Sequence, residues 1–514
     1  MTEPSQVLIV GAGPVGLVTG IELLRRGVPV RVVDRSERPN PHSKAIALWP
    51  RGIEALARFG AADELHRRGV VLRAQNYYSQ GRRVARLAFG GMRRTRYPYA
   101  LSIPQQETEA VLRDVFQDLG GVIEFGTSLT GFSQDGEGVR AELETGSAQR
   151  TTERFGWLVG CDGAHSTVRG GLGVPFRGSS YPQQFLLTDG PVRTSLAHDE
   201  VHYFMSGAGI LVVVGLPGGS YRTFVSAAPD LRVDDATQAV QQAASERCPV
   251  PIELVGEQRT GVFRVHRKVV DRMRVGRVLL AGDAAHIHSP AGGQGLNTGI
   301  EDAASLAWRL AGVRAGRYRD EVLDRWESER LGVARAVVGD TDWQTRMWTM
   351  NGWRARARDA VLGVGGRSGV LNRVVVPRQA QLSLAYPGPR ERVGRLRTGM
   401  RLPDVPLDAG RWLRDELDST EPLLLFFPGV GKHRRDVGGL VEHHRKKHVG
   451  IRVTAPADTG ERAHRLLGLV RPCAVLVRPD GAVVALRDPF GDEFELDQSV
   501  RELTGVAAEA RWVG

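Results

Sequence analysis

Apolar residues open the chain in a short run, Val7 to Val10, followed by a glycine-rich turn and then by Leu17, Ile21 and Leu24 at helical spacing. The run suits a strand buried on both faces, and the spacing after it predicts a helix that Gly27 can end. Val28 to Val33 predict a second strand, which ends in Asp34. An apolar run closed by an aspartate returns twice, in "WLVGCDGAHSTVR" at Asp162 and in "GRVLLAGDAAH" at Asp283. Beyond Pro290 the stretch "AGGQG" leads into a helix predicted from Leu296, with Ile300, Ala303, Ala304 and Ala307 on one side. Between Phe176 and roughly Val270 the pattern changes to antiparallel strand signals, and "GILVVVGLPGGSYRTFVSAA" reads as a hairpin with Pro217, Gly218 and Gly219 in the turn. A helical connector rich in Arg and Trp follows from about Glu321 to Arg373. Further on, "PLLLFFPG" and "CAVLVRPDGAVVALRD" predict two buried strands and a hairpin around Asp480 and Gly481.

Composition changes this picture little. At 514 residues the chain is too long for one ordinary core. The formal net charge of +11 comes from basic residues spread among 58 acidic ones. The densest basic run, Gly431 to His448, reads as a solvated loop face, so no nucleic-acid partner is expected. Its histidines match no recognised metal spacing, and no metal is expected. Three cysteines, Cys161, Cys248 and Cys473, stand far apart without a CxxC pair, which suits a reducing cytoplasm. The glycine turn begins by Gly11, too early for a secretory signal, and no apolar run is long enough to span a bilayer. A cytoplasmic protein without membrane contact is therefore expected.

The N-terminal pattern carries specific chemistry. Gly11, Gly13 and Gly16, with Pro14 and Val15 between the last two, form a G-x-G-x-x-G turn between strand and helix. Such a turn lets a pyrophosphate approach the backbone at a helix N-terminus, and a carboxylate about 20 residues on, here Asp34, accepts hydrogen bonds from a ribose. NAD, NADP and FAD all use this turn, so the signature alone leaves the dinucleotide open.

The two later acid-tipped strands narrow the choice. Asp162, Gly163, Ser166 and Arg169 fit D-G-x-x-S-x-x-R, and Gly282 and Asp283 fit a G-D motif. In these motifs the chain resembles the class A flavoprotein monooxygenases, aromatic hydroxylases built on the para-hydroxybenzoate hydroxylase fold. The resemblance implies α/β and α+β architecture: a Rossmann-like FAD-binding domain interrupted by an antiparallel-sheet substrate domain, plus a C-terminal thioredoxin-like domain. The expected boundaries are 1–175 for the first FAD-binding part, with a substrate-domain insertion near 72–100, then 176–270 for the substrate sheet. Residues 271–385 form the second FAD-binding part and connector, and 386–514 the thioredoxin-like domain, which lacks CxxC. The resemblance also implies tightly bound, non-covalent FAD, with Asp283 on its ribityl hydroxyls. Pro290, Gly293 and Gly295 then lie near the flavin ring, whose pyrimidine edge meets the backbone amides of Gly295, Leu296 and Asn297. Arg35 and Gln105 become further FAD contacts, as does Lys44, which stands where the family usually has arginine.

Candidate substrate contacts are Tyr203, Phe204 and Phe224, from a wider aromatic set with Tyr77, Phe89 and Tyr97. No acid or base catalyst is identified, and His286 and His288 are read as packing residues. The implied reaction consumes NADPH or NADH, bound transiently, and O₂. It hydroxylates an aromatic substrate, of polycyclic polyketide type, through a flavin C4a-hydroperoxide. An antibiotic-inactivating, Baeyer–Villiger or epoxidising monooxygenase would share these motifs. A nicotinamide-dependent dehydrogenase would explain the first turn but neither Asp162 nor Asp283. The expected assembly is a monomer or homodimer.

Overall fold

The computed structural model describes residues 6–41, 45–146, 148–227, 236–388, 390–417, 420–491 and 493–504. Lys44 and its neighbour Ser43 lie outside the described residues. The N-terminal pattern produces a six-stranded sheet, in the spatial order Ile123–Phe125, Val30–Asp34, Val7–Val10, Trp157–Gly160, Val278–Leu280, Arg274–Val275. The first five strands are parallel and the last is antiparallel. Val7, Leu8 and Ile9 are wholly buried, as a strand covered on both faces requires. Helix Pro14–Leu24 buries Leu17, Val18, Ile21 and Leu23 in the same core. Because the strands are parallel, Gly11, Asp34, Asp162 and Gly282 all lie at or just past strand ends on one edge. Four adjacent strands at about 4.8 Å spacing extend over roughly 14 Å, room for a dinucleotide across the carboxyl ends.

A second, largely antiparallel sheet is ordered His286–Ile287, Arg259–Val270, Phe176–Thr194, Ser220–Ala227, Gly209–Gly215, Glu200–Ser206, Ala74–Ser79, Arg82–Ala88. The hairpin predicted around Pro217–Gly219 is present, joining Gly209–Gly215 to Ser220–Ala227. Successive side chains on a strand face opposite ways, so the sheet has two separate apolar faces. One carries Tyr77, Phe185, Tyr203 and Phe224; the other carries Leu186, Phe204, Leu211 and Val225 beneath helix Ala236–Arg247.

The connector forms helices Glu321–Trp348, Gly352–Arg367 and Val370–Gln379. Beyond it a four-stranded sheet runs Arg452–Thr454, Leu423–Phe427, Cys473–Val477, Val483–Arg487, its first pair parallel and the others antiparallel, the arrangement of a thioredoxin-like sheet. The basic run is not a loop throughout, because Gly438–Lys447 is helical and turns His444 inward.

Buried charge docks this last sheet. Asp480 accepts from Ser305 Oγ at 3.0 Å, and Arg478 reaches Glu329 at 2.7 Å. Although burial opposes ionisation, Arg478 and Arg309 hold the Asp480 carboxyl far below the usual carboxylate range. Asp302 and Glu22 are likewise depressed by buried arginines against their own desolvation. Carboxyls depressed on folding contribute stability that is fully present above their unfolded values near pH 4 and lost as pH falls through the folded ones. The chemical-denaturation midpoint should therefore hold from neutrality to about pH 5 and drop steeply below about pH 4.

Candidate active site

The glycine turn is built by close packing. Gly11 has φ +104°, and a Cβ there would overlap the Cys161 carbonyl oxygen, so the two parallel strands fix glycine at this position. Around Gly13, by contrast, a Cβ would meet nothing within 4 Å among the described residues. That open space lies before helix Pro14–Leu24, where a pyrophosphate would sit. Pro14 occupies the first helical position and Val15 packs against Gly282 from the next layer, its Cγ2 2.7 Å from where a Gly282 Cβ would stand.

Asp34 braces the turn. Its Oδ2 accepts from Ala12 N and its Oδ1 from Ser36 N, both at 2.8 Å, leaving further lone pairs for ribose hydroxyls. Glu109 feels the Asp34 charge: burial first, and Asp34 after it, push the Glu109 carboxyl up against the hydrogen bond from Gln105 and the charge of Arg113. Gln105 Nε2 donates to Glu109 at 2.9 Å, while its Oε1 accepts from Ala45 N at 3.2 Å. Gln105 thus ties the 45–49 segment beside Asp34, and Arg35 is exposed next to it.

Asp162 divides its carboxylate between two tasks. Oδ2 accepts from Thr167 N at 2.7 Å and Val168 N at 3.1 Å, capping helix Thr167–Leu172. Oδ1 is buried and has no hydrogen-bond partner among the described residues. A buried carboxylate oxygen left unpaired is costly, so this atom marks where a ligand hydroxyl or amide belongs. Arg169 is turned elsewhere: its guanidinium donates to Ala284 O at 3.0 Å and Ala164 O at 2.8 Å, and lies 4.0 Å over the Phe176 ring. It therefore staples the loop after Asp162 to the turn carrying Asp283.

That turn, Gly282–Ala284, is held from behind. Gly282 has φ +61° and donates its amide to Asp302 Oδ2 at 3.0 Å. Asp302 is fully buried, bonded to His286 Nε2 at 2.7 Å and to Arg330 Nε at 2.6 Å. Arg330 in turn donates to Thr298 O at 3.0 Å in the first turn of helix Gly295–Arg314. His286 is thus a holding group, in keeping with the packing role expected of it, while Asp302 and Arg330 escaped sequence reasoning. Asp283 itself is exposed at the strand end.

The glycine loop comes next. The first intrahelical bond runs from Thr298 N to Gln294 O, so the amides of Gly295, Leu296 and Asn297 precede it at the positive end of the helix. Asn297 contributes its amide only, because its side chain is engaged: Nδ2 donates to Ala47 O and Gly293 O at 3.0 Å, and Oδ1 accepts from Trp49 N at 2.8 Å. Trp49 Nε1 donates to Gly292 O at 2.8 Å, and Pro290 is exposed just before. His288 lies beside Gly295, its Nδ1 on Ser289 O at 2.8 Å; burial pushes its pKa down to about 4, so the ring is neutral.

Trp49 and Ala291 belong to the same apolar cluster as one face of the second sheet. There Tyr77 and Tyr203 stack at 5.1 Å, Tyr203 meets Trp348 at 5.5 Å, and Phe185 stacks on Phe224 at 4.9 Å. Tyr203 and Phe224 thus stand on the face that continues to the glycine loop. Phe204 does not: one residue on, it points through the sheet to Tyr78, 4.6 Å away, and is corrected to a packing residue. Tyr97 packs instead with His66 and Tyr99. Trp49, Phe185 and Trp348 were not singled out, since only the fold brings them to this face. Burial pushes the Tyr77 and Tyr203 phenols well up, so both stay protonated.

An open phosphate space, an unpaired Asp162 oxygen and free-ended helix amides over an aromatic wall define a flavoprotein site, and the residues present fit FAD. The chain belongs to the FAD-binding domain family, whose model matches residues 4–341. It is 32% identical over 500 residues to a 12-dehydrotetracycline 5-monooxygenase/anhydrotetracycline 6-monooxygenase of Streptomyces rimosus, covering 93% of this chain and 94% of that one. A 6-methylpretetramide 4-monooxygenase from Streptomyces rimosus is 39% identical over 341 residues, 65% of this chain and 61% of that relative's length. The structure of an anhydrotetracycline hydroxylase from Streptomyces rimosus superposes with a TM-score of 0.80 at 29% identity, covering 98% of this chain and 99% of that one. The architecture is that of the class A flavin hydroxylases. Among the described residues no helix is long and apolar enough to cross a membrane.

Proposed function

We propose that this chain is an FAD-dependent monooxygenase that consumes NADPH or NADH and O₂ to hydroxylate a polycyclic, polyketide-type aromatic compound. The observation that carries the reading is the continuity of the glycine loop and helix N-terminus with the aromatic face of the second sheet, through Trp49 and Ala291. Asp34, Asp162, Asp283 and the Gly13 space would hold the cofactor. When bound, FAD supplies the redox chemistry with O₂.

The chain's own residues do the rest. The amides of Gly295, Leu296 and Asn297 stabilise negative charge at the helix N-terminus. The Tyr77, Tyr203 and Trp348 cluster offers a flat apolar wall that orients an arene and excludes water. His288, half-buried and neutral beside Gly295, adds no charge of its own to the helix end. Relatives acting on tetracycline-type polycycles, by their names, support the substrate class. Incubation with NADPH, ¹⁸O₂ and a set of polycyclic phenols tests the reading: one ¹⁸O atom should enter the product. Flavin turnover that yields only hydrogen peroxide with every arene would reject it.

The two faces of the sheet give a paired prediction. Tyr203→Leu should raise KM for the aromatic substrate about two- to tenfold, since an aromatic pair contributes about 0.5–1.5 kcal/mol. Phe204→Leu should leave KM unchanged and lower stability by about 1 kcal/mol. Steady-state kinetics and urea denaturation of both variants check this.

A further inference from the structure

His444 and His448 lie four residues apart, the first within helix Gly438–Lys447 and the second at its end. That spacing sets both imidazoles on one side, stacked with centroids 5.4 Å apart and planes 11° from parallel. Asp497, from helix Glu493–Thr504, reaches across to them. Its Oδ1 is 3.1 Å from His448 Nε2, yet the two atoms are out of line for a hydrogen bond. One ligand atom from each of the three residues lies within 4.8 Å of the other two.

A plain helix–helix ion pair would account for less. Lys447 Nζ already meets Asp497 Oδ2 at 2.7 Å, which leaves Oδ1 facing the imidazoles. His444 is 2% exposed and packs 5.3 Å from Phe426, so its imidazole has a fixed apolar backing. Both helices contribute Leu440, Val441, Leu496 and Val500 to one core, so the three groups are carried on a rigid support.

We propose that His444, His448 and Asp497 form a site for a divalent transition metal, zinc foremost, with a fourth position left to water. Two imidazoles and one carboxylate are a zinc donor set, and Zn–N lengths of about 2.0–2.1 Å place tetrahedral ligand atoms roughly 3.4 Å apart. At up to 4.8 Å apart, the three atoms would have to draw together by at most about 1.4 Å to reach that geometry. The ion would clasp helix Gly438–Lys447 to helix Glu493–Thr504 over one face of the thioredoxin-like sheet. The active site takes no part in it. Sequence spacing alone missed the site because its third ligand comes from another helix.

The test is calorimetric titration of Zn²⁺ into the chelator-treated, FAD-loaded full chain, with denaturation midpoints measured alongside. The expected result is saturable binding of one equivalent and a higher midpoint that a chelator reverses. His448→Asn and Asp497→Asn, each close in shape to the residue replaced, should weaken binding more than about tenfold while flavin content is retained. Absence of saturable binding, or undiminished affinity in both variants, would overturn the proposal; the latter would move the ion to other histidines such as His433.

Discussion

Asp162→Asn is expected to release FAD far more readily than the parent chain. The single oxygen of the replacing amide can still accept from Thr167 N and Val168 N, so the helix cap survives. The other position becomes an NH₂ donor where a buried acceptor with no partner among the described residues now stands. A hydrogen bond to a charged group contributes about 1.5–3 kcal/mol, so the FAD dissociation constant should rise roughly ten- to 150-fold. Flavin fluorescence during dilution or titration measures this directly, and the apoprotein should keep nearly the parent's denaturation midpoint. An unchanged dissociation constant would place the cofactor away from Asp162.

Asp302→Asn should have the larger effect on the fold. Asp302 is fully buried, and Arg330, 2% exposed at its side chain, would be left without its carboxylate partner. Burial alone would raise the Asp302 carboxyl, yet Arg330 and His286 hold it low, so the pair is ionised at neutral pH. Breaking a buried pair by removing one charge costs about 3–5 kcal/mol, because the other is left uncompensated. The Gly282 amide loses its charged acceptor in the same change, so the turn bearing Asp283 should loosen and FAD retention fall with stability. The double change Asp302→Asn with Arg330→Met removes both charges and should recover much of the loss in stability, but not of FAD affinity. Denaturation midpoints and flavin content of the three variants check both parts.

Much of the site was legible because its residues sit where local pattern breaks. Asp34, Asp162 and Asp283 each end an apolar run, and a carboxylate there has no role in a strand core. Gly11 was legible as the glycine of a tight turn, whereas the approach of the Cys161 carbonyl that also requires it is a contact only the fold shows. Asp302 and Arg330 left no such mark, being polar residues on helices, where charge ordinarily signals a solvated face. Only packing shows that they are buried and bonded to each other across 28 positions. Phe204 was misplaced for a different reason. Aromatic character says that a residue is buried, whereas alternation along the strand decides on which side, and Tyr203 and Phe204 cannot share one. Trp49 and Trp348 reach the aromatic face from segments far from the sheet in sequence. Asn297 was read from the sequence as a helix-start residue, and the structure adds that its side chain serves Ala47 and Trp49.

The most direct test of the hydroxylase reading is the rate of flavin reduction by NADPH under anaerobic conditions, with and without polycyclic phenols. If the aromatic face lies over the bound flavin, one of these compounds should speed bleaching strongly. Reduction at a rate indifferent to every arene, or a purified chain that binds no flavin, would contradict it.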